Sequence, residues 1–379
     1  MPNLLPIYSK ARSPRTDLFE LMTDLQTLGL RFPAQVELGV HRRAGAGPSA
    51  HKAVRLGDQT IMVPIHTQQA ERSPFEVREV SDRGAMLYRD DRALIPIDFA
   101  SVPNFYQRST AEGIPYWKIA TLHSHDVLAT TVLQKCVRYG NRKTSCQFCA
   151  IGQSLASGET IVEKTPAQLA EVAKAAVELD GVKHAVLTTG TPPSDDRGAA
   201  VLAHCSEAIV REVALPIQAQ CEPPADFAWF QRLADAGVVT LGMHLEAVSD
   251  RVREQIMPGK AEVPMSVYFE AFEAAVAVFG WGQVTTYILA GLGDTHAEIV
   301  AMCERVAALG VYPFVVPFVP IAGTPLAHQP PPSAAWMSPL LRDLAAVLAR
   351  HRMSSESVRA GCARCGACST LRTAEAQHA

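Results

Sequence analysis

Two groups of cysteines combine a residue type and a spacing that can do chemistry. Cys136, Cys146 and Cys149 lie in CVRYGNRKTSCQFCAIG with the spacing C-x9-C-x2-C. Three thiolates can ligate three irons of a four-iron cubane and leave the fourth iron open to a substrate or cofactor. That open position separates a catalytic cluster from one that only carries electrons. A zinc knuckle is the alternative, because C-x2-C pairs bind zinc as well, but zinc sites usually draw four ligands from two such pairs. Spacing and position in the chain together favour the cluster. The second group, Cys362, Cys365 and Cys368 in GCARCGAC, matches the first three cysteines of a bacterial ferredoxin run without the fourth. An auxiliary iron–sulfur cluster is the first reading, structural zinc the second and a mobile thiol tail the third.

Other residues carry weaker signals. Cys221 ends an apolar run and is a candidate catalytic thiol, against the commoner case of a buried strand cysteine. Cys205 and Cys303 fall on apolar helical faces and read as core. In GMHLEAVSD, strand alternation puts His244 and Glu246 on one face, so His244 is a candidate proton donor if that face points inward. Arg251 and Arg253 follow and are candidate carboxylate ligands, though a solvated helix face suits them as well. HRRAGAGPSAHK, at 41–52, is either an anion-cradling turn or a solvated hairpin loop, with the loop preferred. His123 and His125 are read as capping or core residues rather than metal ligands.

The elements that must position these residues follow an α/β rhythm. Apolar, β-rich runs at 127–133, 182–187, 216–221, 238–245, 283–289 and 311–319 alternate with helical patterns. One helix has Thr165 as N-cap and stops at Gly181, and another spans 265–279 and stops at Gly280. Six such units predict a partial (β/α)6 TIM-type barrel over 121–330, with its polar and Gly-rich motifs after the strands, where ligands bind in parallel α/β folds. Residues 1–120 lack this rhythm. They show one amphipathic helix near 17–28 and hairpin-like pairs around Gly57 and Gly84, so they are expected to form an α+β cap over the barrel mouth. Residues 331–379 hold one helix and the second cysteine group.

Composition bounds what such a protein does. With 379 residues, 48% of them hydrophobic, the chain can bury a large core. Lys plus Arg number 35 against 38 Asp plus Glu, so the net charge of −3 argues against nucleic acid as the main partner. No apolar stretch resembles a secretory signal or is long enough for a membrane span, and a cytoplasmic protein is expected. Nine cysteines, six of them in two tight groups, suit reduced thiols available to metal better than a disulfide framework.

Three cysteines after the first strand of such a barrel, with Phe148 just before the last of them, resemble the radical S-adenosylmethionine (SAM) superfamily. Its usual spacing is C-x3-C-x2-C. The longer gap here is similar to that of elongator-type tRNA-modifying members. The resemblance implies a four-iron, four-sulfur (4Fe-4S) cluster on Cys136, Cys146 and Cys149, with SAM as the molecule at the open iron. It implies that Phe148 packs on the adenine and that Thr188, Thr189 and Gly190 receive the SAM amino group. Glu222, in the segment that ends the third strand, is a further candidate SAM contact. Glu246 stands where biotin-synthase-like members contact the ribose or amino group. AGLGD, with Gly291 and Leu292, and VPIAGTPL resemble further cofactor-binding segments. Phrases such as LATTVLQKC, GTPPSDDRGA, PGKAEVP and AGCARCGACS resemble a narrow family of nitrilase-cluster-associated radical SAM proteins, over about residues 100–370. That implies a cofactor and a 5′-deoxyadenosyl radical mechanism but not a substrate. From the nitrilase association the expected substrate is a small, nitrogen-containing metabolite linked to nitrile or cyanide metabolism, and an external electron donor such as flavodoxin or ferredoxin is expected. A tRNA-modifying enzyme and a non-enzymatic iron–sulfur or zinc assembly protein are the alternatives.

Overall fold

The computed structural model describes residues 17–33, 51–81, 84–99 and 102–378, which build two sheets. The first is antiparallel, with strands β1 (His51–Leu56), β2 (Gln59–Pro64), β3 (Phe75–Ser81), β4 (Gly84–Arg89) and β5 (Arg92–Phe99) in the order β2-β1-β5-β4-β3. Alternation drives it: Phe75 and Val77 are buried, while Glu76 and Arg78 between and after them are not. Gly57, at φ 65°, turns the chain between β1 and β2, a conformation that glycine adopts without steric cost. The helix Leu18–Leu28 starts at Asp17, whose carboxylate accepts the Phe19 amide, and lays Leu21, Met22 and Leu25 into this sheet's core. The basic segment at 41–50 lies outside the described residues.

The second sheet forms the barrel wall. Strands β6 (Thr121–His123), β7 (Val127–Thr131), β8 (His184–Thr188), β9 (Ile217–Gln220), β10 (Val238–Gly242), β11 (Val284–Ala290) and β12 (Val311–Pro317) are neighbours in chain order. Strands β7 to β12 are parallel and correspond to the six apolar runs, with ends that differ by at most three residues. The sheet curls without closing, giving an α/β partial barrel of the TIM type. Strand β6, antiparallel on the edge, escapes sequence reading because three residues carry no period. The helix Pro166–Asp180 opens with a reciprocal cap between Thr165 and Gln168 and ends at left-handed Gly181. His296–Ala308 has the same kind of cap between Thr295 and Glu298. Their apolar faces cover the sheet.

The C-terminal segment crosses beneath the barrel. After the helix Ala334–Arg350, Ala360 O accepts the Thr240 hydroxyl at 3.1 Å, the Gly361 amide reaches His184 Nδ1 at 3.1 Å and the Cys362 amide reaches Gln218 Oε1 at 3.1 Å. His184 is the first residue of β8, so this segment floors the barrel at the amino ends of the strands. The antiparallel sheet then packs on the floor. The Met62 amide donates to Ala367 O at 2.7 Å, and Gln26 Nε2 donates to the same carbonyl at 2.9 Å. The expected cap over the mouth is therefore corrected: the N-terminal region makes these contacts at the opposite end, where Ala367 O accepts from Met62 and Gln26 and the Thr23 and Thr370 hydroxyls meet at 2.8 Å.

Candidate active site

At the carboxyl ends of the strands a cavity of about 340 Å³ is lined by Cys136, Cys146, Phe148, Cys149, Thr188, Thr189, Gly190, Cys221, Glu222, His244 and Glu246. Gly190 permits the close approach. A Cβ there would lie 2.1 Å from the Lys135 carbonyl oxygen, so no larger residue fits beside the loop that carries Cys136. The three thiols are half-buried. Burial pushes Cys149 up to about 12 and Cys146 well above the usual thiol range, with neighbouring Glu246 adding to the rise at Cys146. Cys146 and Cys149 are therefore thiols until a cation arrives, and binding iron would release their protons.

Two buried charge pairs stand beside them. Arg138 Nη1 donates to Glu222 Oε1, which also accepts the Thr191 hydroxyl at 2.8 Å. Burial opposes ionisation of Glu222, but Lys260 and Arg138 outweigh it and hold the carboxyl below its ordinary value. Glu222 Oε2 is buried and accepts no hydrogen bond, an orphan that a ligand ammonium would satisfy. Lys260 Nζ lies 3.3 Å from Glu246 Oε1. Burial would lower the Lys260 ammonium, yet Glu246, Tyr268, Glu222 and Cys146 together raise it. Glu246 itself has φ 64°, rare for a residue with a Cβ, and is clamped by the Tyr287 carbonyl at 2.8 Å and the Leu289 amide at 2.8 Å.

The donor set fits the implied groups. Three soft thiolates suit iron, and an acceptor without a partner stands in the same cavity beside a buried ammonium. Among the described residues no three His, Cys, Asp or Glu side chains stand close enough to share a single ion. Thiolates that each take their own iron of a cubane need no such convergence.

Several expectations change. His244 lines the cavity, but its Nδ1 accepts the Tyr287 amide at 3.2 Å, so the ring proton sits on Nε2. Burial and Lys260 push it down to about 3, so it offers a neutral N–H rather than an imidazolium. Cys221 lines the cavity too, and burial with Glu222 and Asp196 holds its thiol up at about 12, which excludes a thiolate nucleophile at neutral pH. Gly291 and Leu292 are absent from the cavity lining. Leu292 is buried in an apolar cluster behind Phe148, and the Gly291 carbonyl accepts Gln329 Nε2 at 2.7 Å. Arg253 is spent on the Val263 carbonyl at 2.8 Å, and Arg251 on the Gly293 carbonyl at 3.1 Å. Arg138, Thr191 and Lys260 carry no signal of a site in the sequence. Arg138 lies inside the cysteine segment and Lys260 inside PGKAEVP, but a single basic residue in a loop looks solvated until folding buries it.

A second cavity of about 270 Å³ shares Phe148, Thr188, Gln220, His244 and Glu246 with the first and continues to the floor, where Cys362 and Cys368 line it. Burial pushes Cys362 up to about 11, Cys365 up to about 12 and Cys368 well above the thiol range. Cys205 and Cys303 are buried in the core, away from both.

A partial α/β barrel with three thiols and a buried carboxylate at the carboxyl ends of its strands has the layout of an α/β barrel enzyme. Residues 137–306 match the model of the radical SAM superfamily. That match and the relative that follows mark the chain as an enzyme. It is 30% identical over 216 residues to the bacteriochlorophyllide c C-7(1)-hydroxylase of Chlorobaculum limnaeum, covering 52% of this chain and 54% of that protein. The chain thus spans about half the length of this curated relative. Among solved structures it is similar to methylornithine synthase, at 16% identity and a TM-score of 0.47 over 64% of this chain and 67% of that one. The FeFe-hydrogenase maturase HydG of Carboxydothermus hydrogenoformans aligns at 16% identity and a TM-score of 0.42, over 59% of this chain and 51% of its own. Among the described residues no helix is long and apolar enough to cross a membrane.

Proposed function

We propose that Cys136, Cys146 and Cys149 hold a 4Fe-4S cluster, that SAM binds beside it, and that the enzyme acts on a small, nitrogen-containing metabolite. One observation carries this reading: three thiols and the unpartnered Glu222 Oε2 belong to one cavity at the carboxyl ends of the barrel strands. When bound, the reduced cluster supplies the electron that splits the sulfonium of SAM, giving methionine and a 5′-deoxyadenosyl radical able to take a hydrogen atom from substrate. The chain's own residues bind and orient. Glu222 and the backbone at Thr188, Thr189 and Gly190 take the SAM ammonium, Lys260 offers its charge to the carboxylate, and Phe148 packs on the adenine. Glu246 holds Lys260 in place and reaches the ribose. His244 offers its Nε2–H, and Cys221 a neutral thiol, to what lies deeper.

Cavity size argues for a small substrate. The cavity toward the floor has about 270 Å³, near the lower end of the roughly 300–1,000 Å³ of sites for drug-sized ligands, which suits a small substrate. The likeness of whole phrases to the nitrilase-associated family points to nitrile or cyanide nitrogen as the metabolic setting, in the cytoplasm, with electrons from a flavodoxin or ferredoxin. Cys362, Cys365 and Cys368 are read as a second, auxiliary metal centre.

Anaerobic reconstitution with iron and sulfide, followed by SAM and dithionite, tests the proposal. Wild type should release 5′-deoxyadenosine and Cys149→Ala should not. Iron-loaded wild type that neither binds SAM nor releases 5′-deoxyadenosine would sink it.

A further inference from the structure

The cysteine-rich tail has three thiols and no fourth cysteine in its own sequence, yet the fold brings a candidate fourth ligand to it. Cys368 Sγ lies 3.4 Å from Nε2 of His123, a residue 245 positions earlier in the chain and the last of strand β6. Cys362 and Cys368 line one cavity and Cys365 and Cys368 pack against one cluster, so the three belong to one group.

The surroundings are built for buried sulfur. Polar groups from different elements stand near the sulfurs: Cys362 accepts from Gln220 Nε2 at 3.3 Å, Cys368 lies against His123 Nε2 at 3.4 Å, and the side chains of Ser124 and Tyr287 neighbour Cys365 and Cys368. Donors aimed at individual sulfurs are the environment that thiolates of a metal cluster require. The peptide is pinned at both ends, by Gln218 on the Cys362 amide and by Met62 and Gln26 on the Ala367 carbonyl. Gly361 is required for this path, since a Cβ there would lie 2.1 Å from the Gln218 side chain. Ala53 and Met62 of the N-terminal sheet close the outer side against Cys365 and Cys368. On the inner side Cys362 and Cys368 line the cavity that leads up to Glu246 and Phe148.

We infer that Cys362, Cys365, Cys368 and His123 hold one iron–sulfur cluster, with three thiolate ligands and one imidazole, at the floor of the substrate cavity. This rests on the reading of the tail as an auxiliary metal centre and adds the ligand its sequence lacks. A neutral imidazole in place of a fourth thiolate leaves the cluster one charge more positive, which raises its potential relative to an all-cysteine cluster. It also places an inorganic centre facing the substrate from below, opposite the three cysteines at the mouth.

The test uses anaerobically reconstituted full-length protein without SAM, in wild type, Cys365→Ala, His123→Ala and His123→Cys. Iron and sulfide per chain are measured with pulsed electron paramagnetic resonance of the reduced protein, in material carrying nitrogen-15 histidine. Wild type should show strong coupling to a histidine nitrogen. His123→Ala should lose it along with part of the iron, and His123→Cys should lose the coupling while keeping the iron, which separates a ligand from a merely structural residue. If Cys365→Ala keeps the wild-type iron, or if the site holds zinc, the auxiliary cluster is wrong. If Cys365→Ala loses iron but wild type shows no histidine coupling, or the coupling survives in His123→Cys, only the assignment of His123 is wrong.

Discussion

Lys260 and Glu246 meet as a buried ion pair, Nζ to Oε1 at 3.3 Å, although they come from different elements: Glu246 follows strand β10, and Lys260 sits in the short helix Pro258–Ala261. Neither is exposed, with side-chain exposures of 9% for Lys260 and 18% for Glu246.

Breaking such a pair from one side leaves an uncompensated charge out of water, a cost of about 3–5 kcal/mol, whereas removing both partners costs much less. Lys260→Met is therefore expected to destabilise the protein strongly, and Lys260→Met with Glu246→Gln to recover most of the loss. Urea unfolding of the two variants checks this. Equal midpoints for the single and double variants would show that the pair carries no coupling.

Gly190 is the second point of leverage. A methyl group there collides with the Lys135 backbone next to Cys136, and backbone cannot swing aside as a flexible side chain can. Gly190→Ala should displace the cysteine loop and cut iron retained at the mouth, while leaving the floor site loaded. Iron analysis in a Cys365→Ala background isolates the mouth site, and unchanged iron there would contradict the geometry.

His244 makes acid stability predictable in sign. Its folded-state value, about 3, lies below the ordinary 6.5, so between those limits the unfolded chain binds a proton that the folded chain does not. Its contribution is full above pH 6.5 and is lost as pH falls toward 3, at about 1.4 kcal/mol per pH unit. Between pH 7 and 5, iron-free wild type should therefore lose about 2 kcal/mol more than His244→Gln in urea unfolding. Parallel losses would show that this imidazole titrates normally.

What the residues state on their own is local. Runs of apolar β-formers between capped, 3.6-periodic segments specify β7 to β12 and the helices between them, because each element's periodicity and end signals lie within a few residues of one another. The C-x9-C-x2-C segment likewise declares thiol chemistry wherever it sits. Tertiary structure alone decides which distant groups meet. Gln220 and Cys362 are 142 positions apart, and Arg138 and Glu222 are 84 apart. His123 has no periodic or motif signal, and its partner is defined only when the tail folds back under the strands. The placement of the N-terminal sheet at the floor depends in the same way on the Ala367 carbonyl, which accepts from Met62 and Gln26 and is a backbone acceptor that no side-chain pattern records.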